Sequence, residues 1–451
     1  MSLASLDYFL FLFIVIAVCE IFPVGKKNIL IMASLLYLAS WGWLTLVTFL
    51  GVFLVNVWLV RSSQNIASRW FLVAAIFLNL CVLSIFKWHL SNLESAEASI
   101  DVLRRNLLPI GLSYYIFQMM AYIIECRRGV VSSPLNFREY LFFNCFFAQI
   151  TIGPIERYKN MVNQIREDRR VTFDDVRTGC SLIAVGLLKK LVIADRLFDF
   201  IKLGSKGESG LTGFALFLYL VLAFIHLYCD FSGYADIAQG SGRLLGYRIS
   251  SNFNCPYLAK SIPDAWSRWH MSLVAWIKDF FFYPLVLKSK KIYLALFLAF
   301  IATGVWHSAS WNYVAWACYW SILTIFHIES RRFHRYFEFI PDIIKRFYVL
   351  CCLALSTLFF MCHSISDFYR YCSQLLEFDQ NFMSTFVQLE GFSPKEFGIS
   401  LLSIVLLFFL EVGWDRFGNQ PKMQYIRLVF LTLVIASLGR SNSYDFIYLS
   451  F

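Results

Sequence analysis

What most restricts this chain is the recurrence of apolar runs, each about as long as a bilayer is thick. A helix needs about 20 residues to cross the hydrocarbon, with about 17 as a workable minimum. Candidate runs recur at 6–22, 43–60, 70–88, 107–124, 211–229, 292–306, 311–328, 346–362, 397–413 and 424–438. One such run would be an anchor, whereas runs continuing along the chain predict an all-α polytopic membrane protein of roughly ten to twelve helices. Charged residues make up 16% of the chain, against about 25% in soluble proteins. The 47 Phe, 23 Tyr and 13 Trp suit lipid contacts and interfacial belts.

The net charge of +10 does not point to nucleic acid, because the bases sit in short clusters between apolar runs. With the N-terminus outside and both doubtful stretches, 28–40 and 180–201, crossing, the inner loops collect Lys26, Lys27, Arg61, Arg69, Arg127, Arg128, Lys288, Lys290, Lys291, Arg331, Arg332, Arg335, Lys345 and Arg346. The outer loop 363–396 is acidic, with Asp367, Glu377, Asp379, Glu390 and Glu396 against Arg370 and Lys395. The first run, Leu6 to Phe22, carries Asp7 and no preceding base, and is followed by Lys26 and Lys27. That order reverses a signal peptide, so the run is expected to be a retained helix starting outside. The twelve cysteines lie mostly in apolar stretches without metal-ligand spacing and read as small buried hydrophobes. No metal is expected.

Four stretches break the pattern. Residues 28–40 read as a short helix turning at Ser40-Trp41-Gly42. Residues 180–201 are interrupted by Lys189 and Lys190, whose cost at mid-bilayer suggests a helix lying along the interface. Residues 140–178 pass through Gly153-Pro154 beside Glu156-Arg157, which suggests a re-entrant end shielded by protein. Residues 230–287, rich in Trp, Arg, Asp, Asn and Pro, are expected to pack into the cytoplasmic mouth. No soluble domain or repeat is evident, so residues 1–451 read as a single membrane-embedded domain.

Among the seven histidines, His89, His327, His334 and His363 read as interfacial. His226 and Asp230 are spaced i, i+4 and could face each other on one helix. His307 is more confined, pinned between Thr303-Gly304-Val305-Trp306 and Ser308-Ala309-Ser310-Trp311-Asn312. A histidine there can project into a cavity, where burial keeps an imidazole neutral and able to accept a proton. His270 sits in Trp266-Ser267-Arg268-Trp269-His270-Met271. That stretch reads as an amphipathic helix with Arg268 and Lys278 toward lipid headgroups or a charged ligand.

These two elements belong to a longer order of motifs. It begins with Leu108-Pro109-Ile110-Gly111-Leu112-Ser113-Tyr114-Tyr115-Ile116-Phe117-Gln118, Gly153-Pro154-Ile155-Glu156-Arg157-Tyr158 and Tyr228-Cys229-Asp230-Phe231-Ser232-Gly233-Tyr234. It continues through Asn252-Phe253-Asn254-Cys255-Pro256-Tyr257, Trp269-His270-Met271-Ser272-Leu273, Gly304-Val305-Trp306-His307 and the ending Phe446-Ile447-Tyr448. In this order the sequence strongly resembles the membrane-bound O-acyltransferase family over residues 105–330. Within the family it is similar to the bacterial branch that O-acetylates alginate and, next, to the one that D-alanylates teichoic acid. Ser308 stands where that branch usually has glycine.

The resemblance implies a ring of helices around a central tunnel in a bacterial inner membrane. His307 becomes the family's central histidine, and His270 the second polar position facing the reaction chamber. Asn312, Trp306, Trp269 and Asp230 are candidates for lining the tunnel or holding the oxyanion, and the basic cluster Lys288, Lys290 and Lys291, on the expected cytoplasmic side, is a candidate for docking an acidic carrier protein or a coenzyme A phosphate. No tightly bound cofactor is implied. The donor is a cytoplasmic thioester, acetyl-CoA or an acyl-carrier protein. The acceptor is an extracytoplasmic polysaccharide, peptidoglycan or a relay partner protein. Transfer of D-alanine to teichoic acid-like polymers is the alternative substrate, and a transporter or channel the alternative class. A transporter would show paired repeats and mid-span charges in corresponding halves, which are not evident in the sequence.

Overall fold

The computed structural model describes residues 1–65, 69–94, 109–167, 169–204, 211–308, 310–330, 339–362, 364–377, 393–413 and 421–440. Among these the regular structure is helical, with no strand. Residues 331–338 and 378–392, and with them His334, Asp379 and Glu390, lie outside the described residues. So do Leu108, His363, the tail motif 446–448 and the side chain of His89. The chain divides into two compact units, Met1–Ile183 with Tyr234–Ser251, and Ala184–Gly233 with Asn252–Phe451.

In the first unit, α1 (Leu6–Ile21) is capped by the Ser5 hydroxyl, which accepts from the Tyr8 amide. Pro23 follows, and α2 (Lys26–Ala39) leaves at 114°. The turn expected at Ser40-Trp41-Gly42 is there, with Gly42 at φ 123°. Then come α3 (Trp43–Asn65) and α4 (Arg69–Glu94), joined by a reciprocal amide pair. Asn56 and Asn79 each donate to the other at 3.0–3.1 Å, the kind of polar clasp that apolar solvent favours. After α5 (Leu112–Arg127) and α6 (Phe137–Cys145), residues 146–157 are irregular yet buried throughout. Non-helical backbone survives at membrane depth only when protein shields it, as expected for this stretch. Gly111 (φ 74°) explains part of its motif, since a Cβ there would lie 2.2 Å from the Ile150 carbonyl oxygen. The neighbours Glu156 and Arg157 have separate partners: Arg157 pairs with Glu125 at 3.2 Å, and Glu156 accepts from Ser250. The unit continues through α7 (Tyr158–Arg166) into α8 (Phe173–Leu187).

The second unit takes the end of α8, a π-helical turn (Leu188–Ala194), α9 (Asp195–Gly204) and most of α10 (Gly213–Leu244). It then holds α11 (Ile262–Trp266), α12 (Met271–Ile277), α13 (Tyr283–Ser289), α14 (Ile292–His307) and α15 (Trp311–Ser330). Next are α16 (Asp342–Ser356), α17 (Leu358–Met361), α18 (Ile365–Leu376), α19 (Pro394–Phe408) and α20 (Pro421–Leu438).

Among the described residues each candidate span overlaps a helix. Among the described residues four are long and apolar enough to cross a bilayer unaided, in α3, α4, α10 and α16–α17, or five with the bent α1–α2 pair. The other apolar helices among the described residues are shorter or broken. Large apolar side chains face outward, among them Phe13 at 71%, Phe77 at 67% and Leu402 at 73% exposed. Such surfaces suit lipid rather than water.

In the segment 180–201, Lys189 and Lys190 are buried within the protein and paired there. Lys189 pairs with Glu411 at 2.6 Å, and Lys190 with Asp195 at 2.8 Å and Asp230 at 2.7 Å. Buried charge is tolerable once paired and hydrogen-bonded, and Tyr228 and Tyr257 donate further hydrogen bonds to Glu411.

Candidate active site

His307 is the last residue of α14, and the chain turns extended at Ser308 (φ −158°, ψ 148°). That backbone suits any residue, so serine in place of the usual glycine is no obstacle. The ring of His307 sits among aromatics. Trp306 lies 4.7 Å away between centroids, Tyr313 stacks at 5.9 Å, and Trp316 and Phe360 approach edge-on at 5.6 and 6.3 Å.

His270 is held by a different device. It precedes α12 in the left-handed region (φ 43°), which is costly for a residue with a side chain and persists only when the surroundings impose it. Asn252 imposes it. The Asn252 carbonyl accepts the Met271 amide at 2.9 Å, and its Oδ1 accepts the Ser272 amide at 3.0 Å and hydroxyl at 2.8 Å. One side chain thus caps a helix to which it does not belong. Ahead of it, the Arg268 guanidinium bonds Asp264 at 2.7 Å and the Asn254 carbonyl at 3.3 Å. Arg268 is therefore occupied within the fold. The His270 ring meets Phe231 edge-on at 4.9 Å and Trp306 at 6.2 Å, so Trp306 touches both histidines.

Both imidazoles line one cavity of about 360 Å³. Trp266, Trp269, Trp316, Trp320 and Phe300 supply much of its wall, and Lys278, itself exposed, also borders it. The wall's hydroxyls are committed to their own helices. Thr303 donates to Ala299, Thr324 to Trp320 and Ser356 to Leu353, at 2.7–2.8 Å. Among the described residues the basic groups of the cavity are therefore the two imidazoles and Lys278.

The other sequence candidates divide. Trp269 lines the cavity, and Trp306 packs behind it. Asn312 is not in the wall, and its Nδ2 donates to the Cys362 carbonyl. Asp230 is engaged by Lys190, while His226 meets the Ala194 carbonyl at 3.0 Å. Lys288, Lys290 and Lys291 are exposed around the end of α13. Sequence reasoning missed the capping role of Asn252, although it quoted the motif that contains it.

Residues 113–370 match the profile of the membrane-bound O-acyltransferase family. The chain belongs to that family. Probable alginate O-acetylase AlgI of Pseudomonas aeruginosa is 33% identical over 70% of this chain and 64% of its own length. Peptidoglycan O-acetyltransferase of Helicobacter pylori is 26% identical over 76% of this chain and 72% of its own. Teichoic acid D-alanyltransferase of Bacillus subtilis is 29% identical over 52% of this chain and 62% of its own. The matched stretch thus spans less than two thirds of the Pseudomonas relative.

Proposed function

We propose that this protein is an O-acyltransferase that moves an acyl group, acetyl for preference, from a cytoplasmic thioester toward a hydroxyl on the far side of the membrane. The observation that carries the reading is two histidines from separate elements lining one largely apolar cavity. In the reaction, His307 takes the proton from the attacking hydroxyl as its oxygen bonds to the thioester carbonyl carbon. The C–S bond then breaks, and His307 returns the proton to the leaving thiolate. His270, held rigidly by the capped start of α12, orients the carbonyl or steadies the developing oxyanion. The apolar wall excludes water that would hydrolyse the donor.

Acetyl is favoured because two of the relatives carry O-acetyl activity in their names. The acceptor is a polysaccharide, peptidoglycan or a relay protein in the cell envelope. Lys288, Lys290 and Lys291 offer a basic surface to an acidic carrier protein or to coenzyme A phosphates, and Lys278 stands nearer the cavity.

The test compares acyl transfer per folded molecule in liposomes. His307→Ala is expected to lose about 10²–10⁴-fold, the usual cost of removing a general base, with helix content intact. His270→Ala is expected to lose less, because water can partly replace an orienting group. A folded His307→Ala protein with wild-type turnover would remove the mechanism. D-alanyl transfer by the wild type, in place of acetyl transfer, would shift the substrate and leave the chemistry.

A further inference from the structure

In the first compact unit, three arginines converge on one carboxylate. Asp175 stands in the first turn of α8, where Thr172 donates its amide at 3.2 Å and its hydroxyl at 2.7 Å to Oδ2. Arg169 reaches both carboxylate oxygens at 3.2 and 2.9 Å, and Arg243, in the last turn of α10, reaches Oδ1 at 3.2 Å. Arg248 follows at 3.6 Å. Among the described residues no other carboxylate reaches these three guanidiniums, and the nearby Asp174 is paired with Arg177. Lys26 borders the group, with Nζ 3.2 Å from the place a Cβ on Gly246 would occupy.

The arrangement exceeds what the fold requires. One arginine suffices to tie α8 to the end of α10, and the capping of α8 is done by Thr172 and Asp175. Three positive charges on one negative charge leave two uncompensated, and like charges so close repel unless an anion joins them. The carboxylate is 1% exposed, whereas the Arg169, Arg243 and Arg248 side chains are 26%, 26% and 52% exposed. Buried acid therefore orients the forks from beneath, and their remaining N–H donors are reachable from outside. Planar forks of this kind match the oxygens of a phosphate group, often two bonds at a time.

We propose that Arg169, Arg243 and Arg248 form a binding site for a phosphate-bearing anion, with Asp175 as the buried strut that positions them. In a membrane protein the phosphodiester headgroup of an anionic lipid is the nearest source, and a soluble phosphorylated molecule the other.

The purified full chain in detergent is titrated with phosphatidylglycerol, phosphatidylcholine and inorganic phosphate in parallel, and its thermal midpoint is followed by tryptophan fluorescence. Phosphatidylglycerol should raise the midpoint saturably, and phosphatidylcholine should not. Arg248→Gln, which leaves Asp175 with two arginines and so is safe for folding, should weaken half-saturation about fivefold. Arg243→Gln/Arg248→Gln should weaken it further, Arg248→Lys should restore part of it, and Arg370→Gln in the other unit should change nothing. Equal stabilisation by inorganic phosphate, lost in the same variants, would support the site and assign it to a soluble ligand. No response to either anion, or a response unchanged in Arg248→Gln, overturns the proposal.

Discussion

Gly304→Ala tests whether the cavity depends on the close crossing of α14 and α15. A Cβ at Gly304 would lie 2.5 Å from the Tyr313 carbonyl oxygen and 3.2 Å from the Ala317 Cβ. Ordinary contact begins near 3.4 Å, so the helices must part locally by about 0.9 Å before the contact stops being repulsive. Both partners of the crossing hold the site. His307 lies three residues on from Gly304, and Tyr313 and Trp316 on α15 flank its ring. Overpacking of this kind costs about 1–3 kcal/mol, offset by roughly 0.5–1 kcal/mol from replacing a helical glycine. A net loss of at most about 2.5 kcal/mol leaves the protein foldable, while a shift near 1 Å at reacting groups can cost about 10²-fold in rate. The expected outcome is a modest fall in thermal midpoint with a disproportionate fall in turnover per folded molecule. Gly398→Ala on α19, where nothing lies within 4 Å of the new Cβ, is the control and should leave both unchanged or raise the midpoint. A Gly304→Ala protein matching that control in midpoint and turnover would refute the reasoning.

Three further outcomes are expected. Reversing Lys288, Lys290 and Lys291 to Glu should raise the KM for the thioester donor and flatten its salt dependence with helix content intact, as steady-state kinetics at two ionic strengths would show. Burial pushes the Asp175 carboxyl up, but Thr172, Arg243 and Arg169 together hold it at about 2 against an ordinary 3.8. A depressed acid stabilises the fold above its unfolded value and ceases to as pH falls through its folded one. Thermal midpoints should therefore be insensitive to this group above about pH 4 and lose its contribution between about pH 4 and 2. Asp175→Asn should remove that part of the acid limb and lower stability at neutral pH by about 1.5–3 kcal/mol. Single cysteines introduced into a cysteine-free background should label from inside at positions 27 and 332 and from outside at position 379, and inside-out labelling of both basic positions would reverse the orientation.

The helices were legible because their signal is local. Apolar run length and the turn at Ser40-Trp41-Gly42 each depend on neighbouring residues, and the structure follows both. The buried pairs were not legible, because their partners are far apart in sequence: Lys189 meets Glu411, and Lys190 meets Asp230. Counting a charge's desolvation cost without its partners pushed 180–201 toward the interface. A signal was nevertheless present in the polar residues inside apolar runs, Lys189, Lys190, Asp230 and Glu411, which are expensive singly and tolerable together. His226 and Asp230, spaced i, i+4 on one helix, each have a further partner distant in sequence, Lys190 for Asp230 and a carbonyl of the π-helical turn for His226.

His307 stood out in sequence because it lies where a helix stops, whereas His270, read there as part of an amphipathic helix, stands in a break between α11 and α12; the structure gives a physical reason for both locations. Mid-helix, a side chain shares its surroundings with neighbours at i±3 and i±4, and its backbone groups are already satisfied. At an end, the chain can depart from helical geometry and send a ring across to another element. His307 does so as α14 gives way to extended backbone at Ser308, and His270 does so from a left-handed residue ahead of α12. The cost of that left-handed residue is met by Asn252, which satisfies the amides of Met271 and Ser272 that a helix start leaves open. Position and support therefore come from different parts of the chain, and a sequence reading that finds the first has no periodicity by which to find the second. Asn252→Ala should accordingly disturb His270 more than the fold, so its effect on transfer should track that of His270→Ala.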